Sequence, residues 1–164
     1  RQMMYTASQS DTPTVIRYPR GIGEGVEWRE TEFVGVDICG ERLKEGEDVA
    51  IVAVGTMVNV ALRAAERSAR SVAVYDLRYA KPIDTRMLNE IGKRFKRVIT
   101  IEDGTIRGGV GEAVAAHLAR GGYNTRVTTL GIGDTFVEHG KPKELYHDCA
   151  YDEEAVLREI DKRE

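Results

Sequence analysis

Asp48-Val49-Ala50-Ile51-Val52-Ala53-Val54-Gly55-Thr56-Met57 is the stretch on which the fold turns. It is an unbroken run of small and β-branched apolar residues, bounded by turn signals and closed by glycine. A strand buried on both faces reads this way, and such strands belong to parallel sheets covered by helices on each side. Thr56 stands where an N-cap belongs. Met57 to Ala69 then carries good helix formers, with apolar positions at Val60, Ala61, Ala64 and Ala65.

The same strand-then-helix unit repeats towards the C-terminus. Strands are predicted at Ser71 to Tyr75, Arg97 to Ile101 and Arg126 to Leu130. Helices are predicted at Asp84 to Phe95, with Met87, Leu88 and Ile91 on one side, and at Gly111 to Arg120, closed by Gly121-Gly122. Two more are predicted at Lys143 to His147 and Glu153 to Lys162. This alternation implies an α/β chain, a three-layer α/β/α unit on a five-stranded, mostly parallel sheet, with right-handed crossovers.

Towards the N-terminus the pattern loosens. Residues 26–47 are charged and irregular, with one predicted strand at Phe33 to Ile38 and a turn at Glu45-Gly46-Glu47. Gly21, Gly23 and Gly25 fall within five residues and mark a candidate domain boundary. Thr14 to Tyr18 is β-branched and aromatic and predicts a short leading strand stopped by Pro19. Residues 1–12 read as the end of a helix and a loop. The chain opens Arg1-Gln2-Met3-Met4, which predicts an internal start, whether by design or by proteolysis.

Composition narrows the function classes. The chain has 164 residues, a one-domain length with room for a core. Its 24 basic and 27 acidic side chains leave a net charge of −3 with no polybasic run, which argues against nucleic acid and anionic membranes as partners. No apolar stretch has the length of a membrane span. Cys39 and Cys149 are too few for a disulfide framework and read as free thiols of a reducing cytoplasm.

Generic motifs of catalysis are missing. No phosphate-binding P-loop occurs. Gly108-Gly109-Val110-Gly111-Glu112-Ala113-Val114 places Gly-x-Gly at a helix start, but it continues into Val114 and lacks the later acidic residue of a dinucleotide site. A tight strand-to-helix turn explains it better. His117, His139 and His147 lack metal-ligand spacing, and no nucleophile elbow or Cys/His pair can be assembled. The informative segment is Arg17-Tyr18-Pro19-Arg20-Gly21. An arginine on a corner made rigid by proline and unobstructed by glycine offers a fork suited to phosphate, and a structural ion pair is the alternative.

Several segments together resemble one family. They are Thr14 to Gly21, Asp48 to Met57, Asp76-Leu77-Arg78-Tyr79-Ala80-Lys81-Pro82-Ile83-Asp84, Thr100 to Gly104, Gly108 to Gly111, and Leu130 to Gly140 with its Gly-Ile-Gly-Asp-Thr-Phe-Val-Glu-His-Gly run. Their order and spacing resemble the end of the central domain and the whole C-terminal domain of 1-deoxy-D-xylulose-5-phosphate synthases, thiamine-diphosphate enzymes of the transketolase type. The strand, Gly-Thr-Met and Lys-Pro-Ile-Asp pieces are shared with transketolases and with β subunits of 2-oxo-acid dehydrogenases. Arg-Tyr-Pro-Arg-Gly and the Phe136 stretch are closer to the synthases.

The resemblance implies a fold like the transketolase C-terminal domain over 26–164, and the end of a pyrimidine-binding domain with a linker over 1–25. It implies an enzyme that condenses pyruvate with D-glyceraldehyde 3-phosphate, with loss of CO2, using thiamine diphosphate and Mg²⁺, to supply isoprenoid and thiamine precursors in a bacterial cytoplasm as a homodimer. Arg20 matches the family's phosphate-binding arginine, with Arg17 and Tyr18 beside it. The Gly-Asp-Gly cofactor motif is absent from the sequence, and Asp103-Gly104 does not replace it. The resemblance therefore assigns no catalytic, cofactor or metal ligand here and implies a piece inactive by itself, serving packing and dimerisation. Glu102 reads as a helix-capping or interface residue, and Glu102 to Gly111 as a contact with the central domain. His139 has no assigned role. A transketolase or oxo-acid dehydrogenase β-subunit domain, or a non-catalytic scaffold of the same fold, is the alternative.

Overall fold

The computed structural model describes residues 1–19 and 32–162. The chain divides into two compact units, Arg1–Ile38 and Cys39–Glu164.

In the first unit, helix α1 (Gln2–Ser8) is bound to the extended segment after residue 32 through its own side chains. Gln2 Nε2 donates to the Glu32 carbonyl at 2.9 Å, and Gln2 Oε1 accepts from the Val34 amide at 3.0 Å. Thr6 Oγ1 accepts from the Val36 amide at 2.8 Å. Tyr5 and Phe33 stack with ring centres 5.5 Å apart. These bonds correct the strand expected at Phe33 to Ile38. The amides of Val34 and Val36 are taken by helix side chains, so that segment joins no ladder. The strand expected at Thr14 to Tyr18 is corrected as well: residues 13–19 are irregular, and Val15 and Tyr18 stand 95% and 80% exposed. β-branched residues favour a pleated surface only where a partner strand supplies one.

The second unit holds β1 (Glu41–Lys44), β2 (Val49–Ala53), α2 (Met57–Arg67), β3 (Val72–Asp76), α3 (Thr85–Arg94) and β4 (Arg97–Thr105). It continues with α4 (Val110–Arg120), β5 (Arg126–Ile132), α5 (Pro142–Asp148) and α6 (Glu153–Asp161). The sheet order is β1-β3-β2-β4-β5, parallel except for β1, which runs antiparallel to β3. β2 lies at the centre with every residue buried, as its apolar run requires. The fold is a three-layer α/β/α sandwich on five strands. The antiparallel edge strand is Glu41–Lys44, which the sequence did not signal, because Glu41-Arg42-Leu43-Lys44 is mostly charged.

Side-chain alternation along the strands splits the core in two. Val49, Ile51 and Ala53 of β2 pack with Ile99 and Ile101 under α2 and α6. Ala50 and Val52 pack with Val98 under α3 and α4. Ile51 is fully buried, and burying such a side chain contributes about 1.5–3 kcal/mol.

Helix starts follow local chemistry. Asp84 Oδ1 accepts from the Met87 amide at 2.9 Å and caps α3, while its Oδ2 accepts from the Gly40 amide at 2.9 Å. Asp152 Oδ1 caps α6 from the Ala155 amide at 2.8 Å. Thr56 occupies the N-cap position of α2, but its hydroxyl makes no capping bond. Gly55, at φ +63°, sets that turn instead, and its carbonyl accepts from the Val58 amide at 3.2 Å.

Candidate functional site

In an open parallel sheet, ligands collect beyond the carboxyl ends of the strands, where neighbouring crossovers leave towards opposite faces. Here that place lies between β2 and β4. α2 follows β2 onto one face, and α4 follows β4 onto the other.

The β4 side of this place is filled by the protein's own anions. Glu102 Oε2 accepts from the Val110 amide at 3.1 Å, and Oε1 accepts from the Gly111 amide at 2.8 Å. The carboxylate thus occupies the amino end of α4, where a helix has free N–H groups and attracts an anion. Glu112 Oε2 accepts from the Gly108 amide at 2.8 Å one turn away. The glycines permit the close approach. A Cβ on Gly109 would lie 2.2 Å from the Thr105 carbonyl oxygen, and one on Gly111 would lie 2.5 Å from Thr100 Oγ1. The Gly108–Val114 string is therefore a strand-to-helix turn closed by an internal carboxylate.

Asp103, next along the strand, serves the opposite layer. Its Oδ1 accepts from the Tyr151 hydroxyl at 3.1 Å and its Oδ2 from the Tyr146 hydroxyl at 3.4 Å. Burial, and then the Asp103 charge, pushes the Tyr151 phenol well above its ordinary range. Two adjacent carboxylates at the end of β4 hold down α4 on one face and the α5–α6 corner on the other.

The end of β3 is built differently. Arg78 lies in the left-handed region at φ 57°, a conformation uncommon for a side chain of that size. Its amide donates to Asp76 Oδ1 at 2.9 Å, and its guanidinium pairs with Glu41 and stands 3.9 Å from Asp76 Oδ2. Burial raises the Asp76 carboxyl pKa, against the lowering pull of Arg78. Strained backbone of this kind gathers at functional sites. Sequence reading passed over Arg78, although an arginine two residues beyond an acidic strand end was the available signal.

The other sequence-derived candidates are scattered. Arg20 lies outside the described residues. Arg17 and Tyr18 are both exposed in the irregular segment. His117 Nε2 pairs with Asn89 Oδ1 at 2.8 Å between α4 and α3. His147 Nδ1 meets Asp152 Oδ2 at 2.8 Å, and His139 sits in an exposed loop. Cys39 and Cys149 are free thiols. Among the described residues, no group of three or more His, Cys, Asp or Glu side chains is arranged to hold a metal ion, and no helix is long and apolar enough to cross a membrane.

Sheet order, layer assignment and a carboxyl edge sealed at β4 define an open-sheet α/β domain of the doubly wound kind. The description "Transketolase, C-terminal domain" matches residues 39–156, and the chain belongs to that family. It is 45% identical over 164 residues to the 1-deoxy-D-xylulose-5-phosphate synthase of Phocaeicola vulgatus, an alignment that takes in 96% of this chain and 26% of that one. The synthase of Bacteroides fragilis is 43% identical over 168 residues, covering 99% and 26%. The chain thus spans about a quarter of the length of the curated relatives it matches. Among solved structures, a split-gene transketolase, an inactive β4 tetramer, superposes with a TM-score of 0.71 at 34% identity, over 77% of this chain and 43% of that one.

Proposed function

We propose that this chain is the C-terminal portion of a 1-deoxy-D-xylulose-5-phosphate synthase, a transferase that condenses pyruvate with D-glyceraldehyde 3-phosphate. The observation that carries the reading is identity of 45% along 96% of the chain, Arg17-Tyr18-Pro19-Arg20-Gly21 included in its span. In this reading residues 1–25 end the pyrimidine-binding domain and lead into the last domain, which starts at 26. The whole enzyme works as a homodimer in a bacterial cytoplasm, on the route to isoprenoid and thiamine precursors. Arg20 grips the substrate phosphate, with Arg17 and Tyr18 as neighbours.

Thiamine diphosphate and Mg²⁺ are the cofactors of this reading, and the described residues do not fit them. The carboxylates at the end of β4 are already spent, Glu102 on the first amides of α4 and Asp103 on two tyrosine hydroxyls, and Asp76 at the end of β3 is engaged by Arg78. No acid, base, nucleophile or cofactor ligand is assigned to this domain, and its role is to pack and to dimerise. Arg78 is the one described arginine held under backbone strain at that edge, which makes it a second cation to test beside Arg20.

Calorimetry on the purified chain tests the division of labour. No thiamine-diphosphate binding is expected, and clear micromolar binding overturns it. In the full-length enzyme, Arg20→Ala should raise KM for glyceraldehyde 3-phosphate far more than KM for pyruvate. Equal effects on both substrates remove the phosphate role.

A further inference from the structure

The two edges of the sheet are protected unequally. β1 has four residues, three of them charged, and its register with β3 is broken between Arg42 and Lys44. Short, charged, irregular edges resist pairing with another chain. β5 has seven residues, Arg126-Val127-Thr128-Thr129-Leu130-Gly131-Ile132, with no proline and no charge after the first. Its single neighbour is β4.

The outward-facing groups of β5 can be identified. The Arg126 amide donates to the Lys96 carbonyl at 2.7 Å, and the Ile132 carbonyl accepts from the Ile106 amide at 2.8 Å. Even-numbered residues therefore turn their backbone towards β4, and by alternation Val127 and Thr129 turn theirs away. Both are partly exposed, and no described backbone group outside the sheet pairs with them.

We propose that this edge is a homotypic interface, on which a second copy of the chain adds its own β5 antiparallel across a two-fold axis. The inference deepens the homodimer part of the function proposed above and rests on it. Charge selects both occupant and direction. Arg126 opens the strand and Asp134 follows its end, both exposed. Antiparallel pairing sets the cation of each copy towards the anion of the other at both ends, whereas parallel pairing sets like beside like. A patch that is complementary to itself in this way is what a two-fold interface requires. The loop leaving β5 adds Phe136, whose side chain is entirely exposed and supplies an aromatic anchor beside the edge.

Sedimentation of the chain over a range of concentrations, with hydrogen exchange at residue resolution, tests the proposal. The Val127 and Thr129 amides should be protected in the dimer and open on dilution. Arg126→Glu and Asp134→Arg alter exposed side chains. Asp134 loses only its bridge to Arg107, an exposed pair that contributes little. Each variant should weaken the dimer about tenfold, because two symmetry-related pairs turn repulsive. The double variant should return towards the original affinity. A dimer that ignores these changes, or whose β5 edge amides exchange freely, overturns this interface and leaves the homodimer reading standing. A chain that stays monomeric throughout overturns this interface and the dimerising role given to this piece.

Discussion

The ends of β3 and β4 lie on one edge of one sheet, separated only by β2, and they are finished in opposite ways. At β4 each carboxylate meets a partner that satisfies it: Glu102 the first amides of α4, Asp103 two phenols. At β3 a cation is held in a strained backbone between two carboxylates, one of which is raised in pKa by burial. The first arrangement is a structural lock. The second stores unfavourable conformation, which only a compensating role or neighbour sustains. The difference teaches that position at the carboxyl edge does not by itself mark a ligand site. What matters is whether the polar groups there are already satisfied.

The contrast can be broken by mutation. Glu102→Ala should have the largest effect, about 2–3 kcal/mol of lost stability in denaturant unfolding, since two α4 amides lose a charged acceptor. A loss below about 0.5 kcal/mol would mean that the lock is not one. Gly111→Ala probes the same joint from the packing side. Its new methyl meets Thr100 and Thr129, and a cost of about 1–3 kcal/mol is expected. At β3, Arg78→Gly should leave the melting temperature nearly unchanged. Relief of about 1–2 kcal/mol of left-handed strain offsets the lost ion pairing. Turnover by the full-length enzyme should fall. Unchanged turnover would reduce Arg78 to a surface ion pair.

Asp76→Asn should be the mildest change, and its sign depends on pH. The folded-state pKa of Asp76 is raised, so the acid form is favoured by folding. Its contribution is greatest below the unfolded pKa and is lost as pH rises through the folded one. The asparagine variant should therefore gain a little stability at neutral pH relative to the parent, and the gain should vanish in acid. A variant less stable than the parent at neutral pH would show that the Arg78 interaction outweighs burial.

Much of this was legible along the chain. The Val49–Ala53 run, the helices after it and the parallel alternation were written in local pattern, because burial on both faces demands continuous apolar residues. The place of Glu102 as a helix cap was also within reach, since an acidic residue before a glycine-rich helix start has an obvious use. The edge strand was not legible. Glu41–Lys44 forms because β3 offers it a ladder, while Thr14 to Tyr18 has the better strand composition and no ladder among the described residues.

Local composition decided which segments could be buried, and hence the layers, the central strand and the class of fold. Only the folded chain decided which polar groups at the carboxyl edge neutralise one another, where Arg78 is strained, and which sheet edge stays open. Those outcomes depend on partners such as Asp103 with Tyr151 and Arg78 with Glu41, brought together from distant positions by the sheet order, and no short window of sequence contains both members of such a pair.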